Sequence, residues 1–154
     1  MTVAHIRPAE VETFSLDWGT MKWFVSPLTI PGAANSQGEV IVNPGQGHAR
    51  HLHEQADELI YVISGTGTQT VGDEEFPIAE GDTVYIPMGT LHSTLNTGWR
   101  TLRLIVTYTP GGEEQALTAL EVAVALARAR AADGGPPHVT VEDVQAALGT
   151  RALR

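Results

Sequence analysis

From Lys22 to Tyr108 the chain leaves no room for a helix of useful length. Its apolar residues come in short runs, MKWFV, EVIV, ELIYVIS, GTQTV, TVYIP and TLRLIVTY, cut by breaks such as PGAANSQG, NPGQG, VGDEE, AEGD and PMGT. Val, Ile, Thr and aromatic residues fill the runs and suit a pleated, half-buried surface, while Gly, Pro, Asn and Asp fill the breaks. Breaks recur roughly every 8–15 residues, which fits a sandwich or barrel and is too close for βαβ units. An all-β domain is the expectation for residues 1–112.

After Thr109-Pro110-Gly111-Gly112 the composition turns to Ala, Leu, Glu and Arg, and residues 113–154 read as a helical extension. Leu117, Leu120, Val124, Ala127 and Ala131 fall on one helical face. Glu113 and Glu114 in the first turn and Arg128 and Arg130 near the end suit the helix dipole. Gly134-Gly135-Pro136-Pro137 stops this helix. Thr140, followed by Glu142 and Asp143, reads as the N-cap of a second short helix running through Val144 and Leu148 to Gly149. The Ala-rich face of this tail could cover its own barrel or a neighbouring subunit.

The 154 residues contain no apolar run near the roughly 20 needed to cross a bilayer, and the N-terminus lacks the pattern of a signal peptide, so a soluble cytoplasmic protein is expected. Cysteine is absent, which excludes disulfides, thiolate ligands and thiol nucleophiles. Nine Lys plus Arg against 18 Asp plus Glu give a formal charge of −9, which repels nucleic acid and anionic membranes.

His51 and His53 are two apart, so a regular strand would point both imidazoles to one side. Glu58 follows at an odd offset, and the polar stretch Glu54-Gln55-Ala56-Asp57 reads as a bend that returns it to that side. His92 lies far off, on a strand after the Pro87-Met88-Gly89 turn. Three imidazoles and a carboxylate suit one divalent transition metal ion, Fe(II), Mn(II), Ni(II), Co(II), Cu(II) or Zn(II), and disfavour Mg and Ca. A six-coordinate ion would keep two positions for water, O₂ or a substrate oxygen.

Gly45-x5-His51-x-His53-x4-Glu58-x6-Gly65 resembles the first cupin motif, and Gly81-x5-Pro87-x-Gly89-x2-His92-x3-Asn96 resembles the second. Thr66 to Glu80, between them, is 15 residues long, similar to the short end of the family's range. The resemblance extends over residues 20–110. It implies a double-stranded β-helix, a metal bound by His51, His53, Glu58 and His92, structural roles for Gly45, Gly65, Gly81, Pro87 and Gly89, and a homodimer. Membership of such a family does not by itself choose the reaction, but a three-histidine, one-glutamate shell with open positions accommodates Fe(II) and O₂, so a metal-dependent enzyme of dioxygenase type on a small organic substrate is the expectation. The alternatives are a non-redox isomerase, lyase, decarboxylase or cyclase, or a small-molecule sensor.

Other residues have plainer readings. His48 and Arg50 alternate with His51 and belong on the barrel exterior unless the strand bulges. His5 and His138 are solvated terminal residues. Gln55, Asp57, Tyr61 and Asn96 are hydrogen-bonding supports of the ligands, general acid/base groups or purely structural residues, with a turn role for Asn96. Trp18, Trp23, Phe24 and Trp99 read as core or interface rather than pocket. Arg103 is the candidate for a substrate carboxylate if it faces inward, and an exterior residue otherwise. Spacing assigns no catalytic or substrate-binding residue.

Overall fold

The computed structural model describes residues 4–114, 123, 126–127, 129–135, 138–140 and 143. The chain divides into two compact units, Met1–Glu113 and Glu114–Arg154. In the first, a 3-10 turn at Pro8–Glu10 precedes nine strands: β1 Phe14–Leu16, β2 Gly19–Val25, β3 Ser36–Val42, β4 Asp57–Ser64, β5 Thr66–Val71, β6 Glu74–Ala79, β7 Thr83–Ile86, β8 His92–Leu95 and β9 Leu102–Thr109. They form a six-stranded sheet in the order β1-β2-β3-β9-β4-β7 and a three-stranded sheet in the order β6-β5-β8. All pairings are antiparallel.

Side-chain alternation fixes the register. In β9, Leu102, Leu104, Val106 and Tyr108 are buried, and in β4 Glu58, Ile60 and Val62 are. A one-residue slip of β9 would expose four large side chains, a loss of about 6–12 kcal/mol that rivals the whole stability of a small domain. Val40 and Val42 of β3, Ile86 of β7 and Met21 and Trp23 of β2 complete this apolar face. Trp23 packs on Tyr108 with ring centroids 5.6 Å apart.

The short strands β1 and β6 are not among the runs recognised from sequence. β6 carries Pro77, which removes a backbone donor, and this is tolerated because β6 is a sheet edge. The two-residue turn Gly72-Asp73 joins it to β5 in register Val71↔Glu74.

In the second unit, Thr140 and Asp143 cap each other. The Asp143 N–H donates to Thr140 Oγ1 at 3.2 Å, and the Thr140 N–H donates to the Asp143 carboxylate at 2.9 Å. Arg130 pairs with Asp143 at 2.7 Å. Those contacts hold the Asp143 carboxyl at about 2, with Arg130 the main cause. Asp143, Ala127 and Ala131 are helical. Leu117, Leu120, Val124, Arg128, Val144, Leu148 and Gly149 lie outside the described residues. Among the described residues, no helix is long and apolar enough to cross a membrane.

Candidate metal centre

The segment from Gly45 to His51 runs antiparallel to β8. Asn96 N–H donates to the Gln46 carbonyl, His48 N–H to the Thr94 carbonyl, and His51 and His92 exchange both backbone bonds at 3.0 and 2.8 Å. Gly47 permits this approach, since a Cβ there would lie 2.3 Å from the Thr94 carbonyl oxygen. From His48 to His51 the segment advances three residues while β8 advances two, from Thr94 to His92. One residue is therefore extra, and the segment bulges.

The bulge corrects two expectations. His51 is an isolated bridge residue and His53 lies outside any strand, so uninterrupted strand periodicity is not what pairs them. His48, assigned to the exterior, instead lines the cavity beside His51, because the extra residue turns an odd offset into a shared side. Arg50 does point outward, and its guanidinium donates to the Gly72 carbonyl at 2.5 Å.

His53 is held from the second motif, where Gly89 N–H, in a turn with Gly89 at φ +73, donates to the His53 carbonyl at 2.8 Å. Met88 N–H in the same turn donates to Asp57 Oδ1 at 2.9 Å, which makes Asp57 a tie between motifs. Glu58 enters on the inward face of β4, and His92 opens β8.

Ligand nitrogens of His51, His53 and His92 all lie within 4.8 Å of one another, so three histidines could hold a metal ion. Glu58 is not part of that group, yet its Oε2 is 2.9 Å from His92 Nε2 and 3.3 Å from His53 Nε2. His53, Glu58 and His92 are 4%, 4% and 2% exposed, so these atoms have no water to turn to. Despite the short distances, none of the three atoms has a partner in hydrogen-bond geometry.

Protonation follows from the outer contacts. His51 Nδ1 is 2.9 Å from the Ala49 carbonyl, and His92 Nδ1 is 2.8 Å from the Thr90 carbonyl. A carbonyl only accepts, so Nδ1 carries the proton in each ring and Nε2 presents a lone pair. Lone pairs of nitrogen and carboxylate oxygen thus converge in a buried place, and the donor set fits a divalent transition metal ion.

The Glu58 carboxylate and the imidazoles beside it shift one another's titration. Burial pushes the Glu58 carboxyl upward, but His53 and His92 outweigh burial and hold it at about 2. Burial lowers His92, and Glu58 and the Thr90 carbonyl reverse this to raise it above 6.5. His51 is lowered, chiefly by burial, and His48 is lowered to about 4 by burial and then by His51.

Glu113, read from sequence only as a first-turn residue of a helix, accepts the Gln55 N–H at 2.9 Å and places its other oxygen 3.7 Å from His53 Nδ1. The cavity spans 240 Å³ including its open mouth and is walled by Val40, Ile60, Leu104 and Val106. Arg103 is on the outer face, paired with Glu39 at 2.5 Å, and does not line it. Asn96 has the expected turn role: its Nδ2 donates to the Val42 and Arg100 carbonyls, and its Oδ1 accepts from Gly98 N–H. Tyr61 is exposed, as is Trp99, while Trp23 is core. Trp18 stands over His48 with ring centroids 4.0 Å apart.

Two curled antiparallel sheets with a histidine cluster between them define a double-stranded β-helix with a candidate mononuclear metal centre. Residues 38–108 match the cupin domain family. An uncharacterized protein of Methanocaldococcus jannaschii is 31% identical over 99 residues, covering 64% of this chain and 79% of that protein. The chain belongs to the cupin family. It is also 25% identical over 101 residues to polyketide synthase CurC of Streptomyces cyaneus, spanning 66% of the length of each. A solved structure described as a predicted oxalate decarboxylase, from Thermotoga maritima, shares the fold with a TM-score of 0.60 at 23% identity, over 70% of this chain and 99% of that one.

Proposed function

We propose that the protein is a mononuclear, divalent-metal-dependent cupin enzyme of dioxygenase type, its ion held by His51, His53, Glu58 and His92, acting on a small organic substrate. The observation that carries this reading is the buried convergence of His53 Nε2, His92 Nε2 and Glu58 Oε2 without hydrogen-bond partners. An ion bound there supplies Lewis acidity toward a substrate oxygen and, if redox-active, electrons for reaction with O₂. The Ala49 and Thr90 carbonyls fix the tautomers of His51 and His92, so these rings present Nε2 without rearrangement. Val40, Ile60, Leu104 and Val106 keep the adjoining space apolar and limit water.

The test is O₂ uptake by protein loaded with Fe(II), Mn(II), Ni(II) or Zn(II), with β-dicarbonyl and phenolic compounds as substrates. Uptake with a redox-active ion is expected, lost together with the metal in His53→Ala. Turnover that proceeds equally without O₂, including in the Zn(II) form, would select a second reading. The likeness to polyketide synthase CurC supports that reading, a non-redox lyase, isomerase, decarboxylase or cyclase acting on a polyketide-like carbonyl compound.

A further inference from the structure

The cavity contains a fourth imidazole that the ligand set does not use. His48 lines it beside His51, Glu58, His92 and Thr94. Its Nε2 is buried and, among the described residues, has no hydrogen-bond partner. The ring is not free to look elsewhere. Trp18 packs against it, with ring centroids 4.0 Å apart and planes tilted by 54°, and the backbone bond to Thr94, 3.1 Å, pins its main chain to β8. Buried polar atoms nearly always have partners, so an orphaned nitrogen in a cavity wall marks where a ligand's polar atom belongs.

The remaining walls narrow the class of ligand. The Thr94 hydroxyl is committed, donating to Gln69 Oε1 at 2.6 Å. Val40, Ile60, Leu104 and Val106 are apolar, and among the described residues no Lys or Arg lines the cavity. Arg50 and Arg103, the nearest arginines in sequence, are engaged by the Gly72 carbonyl and by Glu39. Glu58 adds negative charge to the cavity. A carboxylate or phosphate reaching toward His48 would therefore meet no cationic side chain, whereas a hydroxyl on an apolar body finds both an apolar wall and a polar partner.

We propose that His48 is a substrate-binding residue whose Nε2 hydrogen-bonds the hydroxyl of a small phenolic or enolic molecule seated at the metal centre. This rests on the metal reading given above and adds to it the polar contact opposite the ion. The bulge between His48 and His51 is the device that supplies it, since a regular strand would have turned His48 outward.

The experiment uses zinc-loaded full-length protein with catechol as the probe and guaiacol, in which one hydroxyl is methylated, as its control. Zinc affinity and catechol affinity are measured by calorimetry for the wild type, His48→Ala and His48→Gln, and the His48 ¹⁵Nε2 shift is followed in the wild type. Expected are unchanged zinc binding in all three, a roughly ten-fold loss of catechol affinity in His48→Ala with partial recovery in His48→Gln, the size of one hydrogen bond. The Nε2 resonance moves with catechol and stays with guaiacol. Unchanged catechol affinity in His48→Ala, or an Nε2 shift identical with guaiacol, overturns the proposal. Loss of zinc in His48→Ala also overturns it, by making His48 a metal ligand. A wild type that binds zinc but not catechol refutes the hydroxyl class while leaving the metal centre standing. A wild type that binds no zinc refutes both.

Discussion

Replacing Asn96 tests whether the second motif ends on a structural tie rather than a reacting group. Its side chain is fully buried and makes three hydrogen bonds: Nδ2 to the Val42 carbonyl at 2.8 Å, Nδ2 to the Arg100 carbonyl at 2.8 Å, and Oδ1 from Gly98 N–H at 2.9 Å. Asn96→Ala removes all three and leaves the buried Val42 carbonyl short of a donor. At about 1 kcal/mol per bond the loss is about 3 kcal/mol. Asn96→Asp keeps the acceptor for Gly98 but turns a carboxylate toward two carbonyl oxygens, so near neutral pH it should be the more damaging change although it is the smaller one. Urea unfolding followed by the fluorescence of buried Trp23 gives both values. The expected order of stability is wild type, then Asn96→Ala, then Asn96→Asp, with the gap between the variants closing as acid protonates the aspartate. An Asn96→Ala loss well under 1 kcal/mol, or an Asp variant as stable as the wild type, would refute the reasoning.

Metal-free protein should depend on pH from both sides. Glu58, held at about 2 against an ordinary 4.5, contributes stability present above 4.5 and lost as pH falls through the lower value. His92, raised above 6.5, contributes stability complete below 6.5 and lost as pH rises through its folded value. Melting temperature should therefore peak between these limits, and a steady rise from pH 6.5 to 8 would contradict the pairing. Gly47→Ala places a methyl 2.3 Å from the Thr94 carbonyl oxygen. It should cost about 1–3 kcal/mol and weaken metal binding by pushing His51 off β8, so unchanged unfolding and metal titration would count against that approach. Arg103→Ala removes a half-exposed ion pair with Glu39 and should shift stability by about 1 kcal/mol or less, with metal uptake untouched. Lost uptake would show that Arg103 serves the site.

The candidate cluster of His51, His53 and His92 was legible because these residues recur at fixed offsets between glycines that the turns require: Gly45, Gly65, Gly81 and Gly89 all adopt positive φ. The strands β4 and β9 were legible as apolar runs, but not their inward faces, since ELIYVIS is apolar at adjacent positions and Leu59 and Tyr61 are exposed. The bulge at His48 was not legible. It depends on how closely Gly47 can approach β8, a tertiary fact, and strand periodicity alone sent His48 outward. Glu113 escaped for a similar reason, since its contact with Gln55 spans 58 positions in the sequence and nothing local marks it. β6 was missed because a proline and two glutamates in Glu74–Ala79 argue against a strand until the edge position is known. Arg103, open to either face from sequence, was settled by its place between buried Leu102 and Leu104.

Metal content per chain bears most directly on the central claim. Elemental analysis of protein purified without added metal and then titrated with Co(II) should give one ion per chain in the wild type, with the visible spectrum of bound nitrogen ligands, and none in His53→Ala. A wild type that takes up no divalent ion at neutral pH, or a His53→Ala variant that binds as the wild type does, would contradict the assignment of His51, His53, Glu58 and His92 as a metal centre.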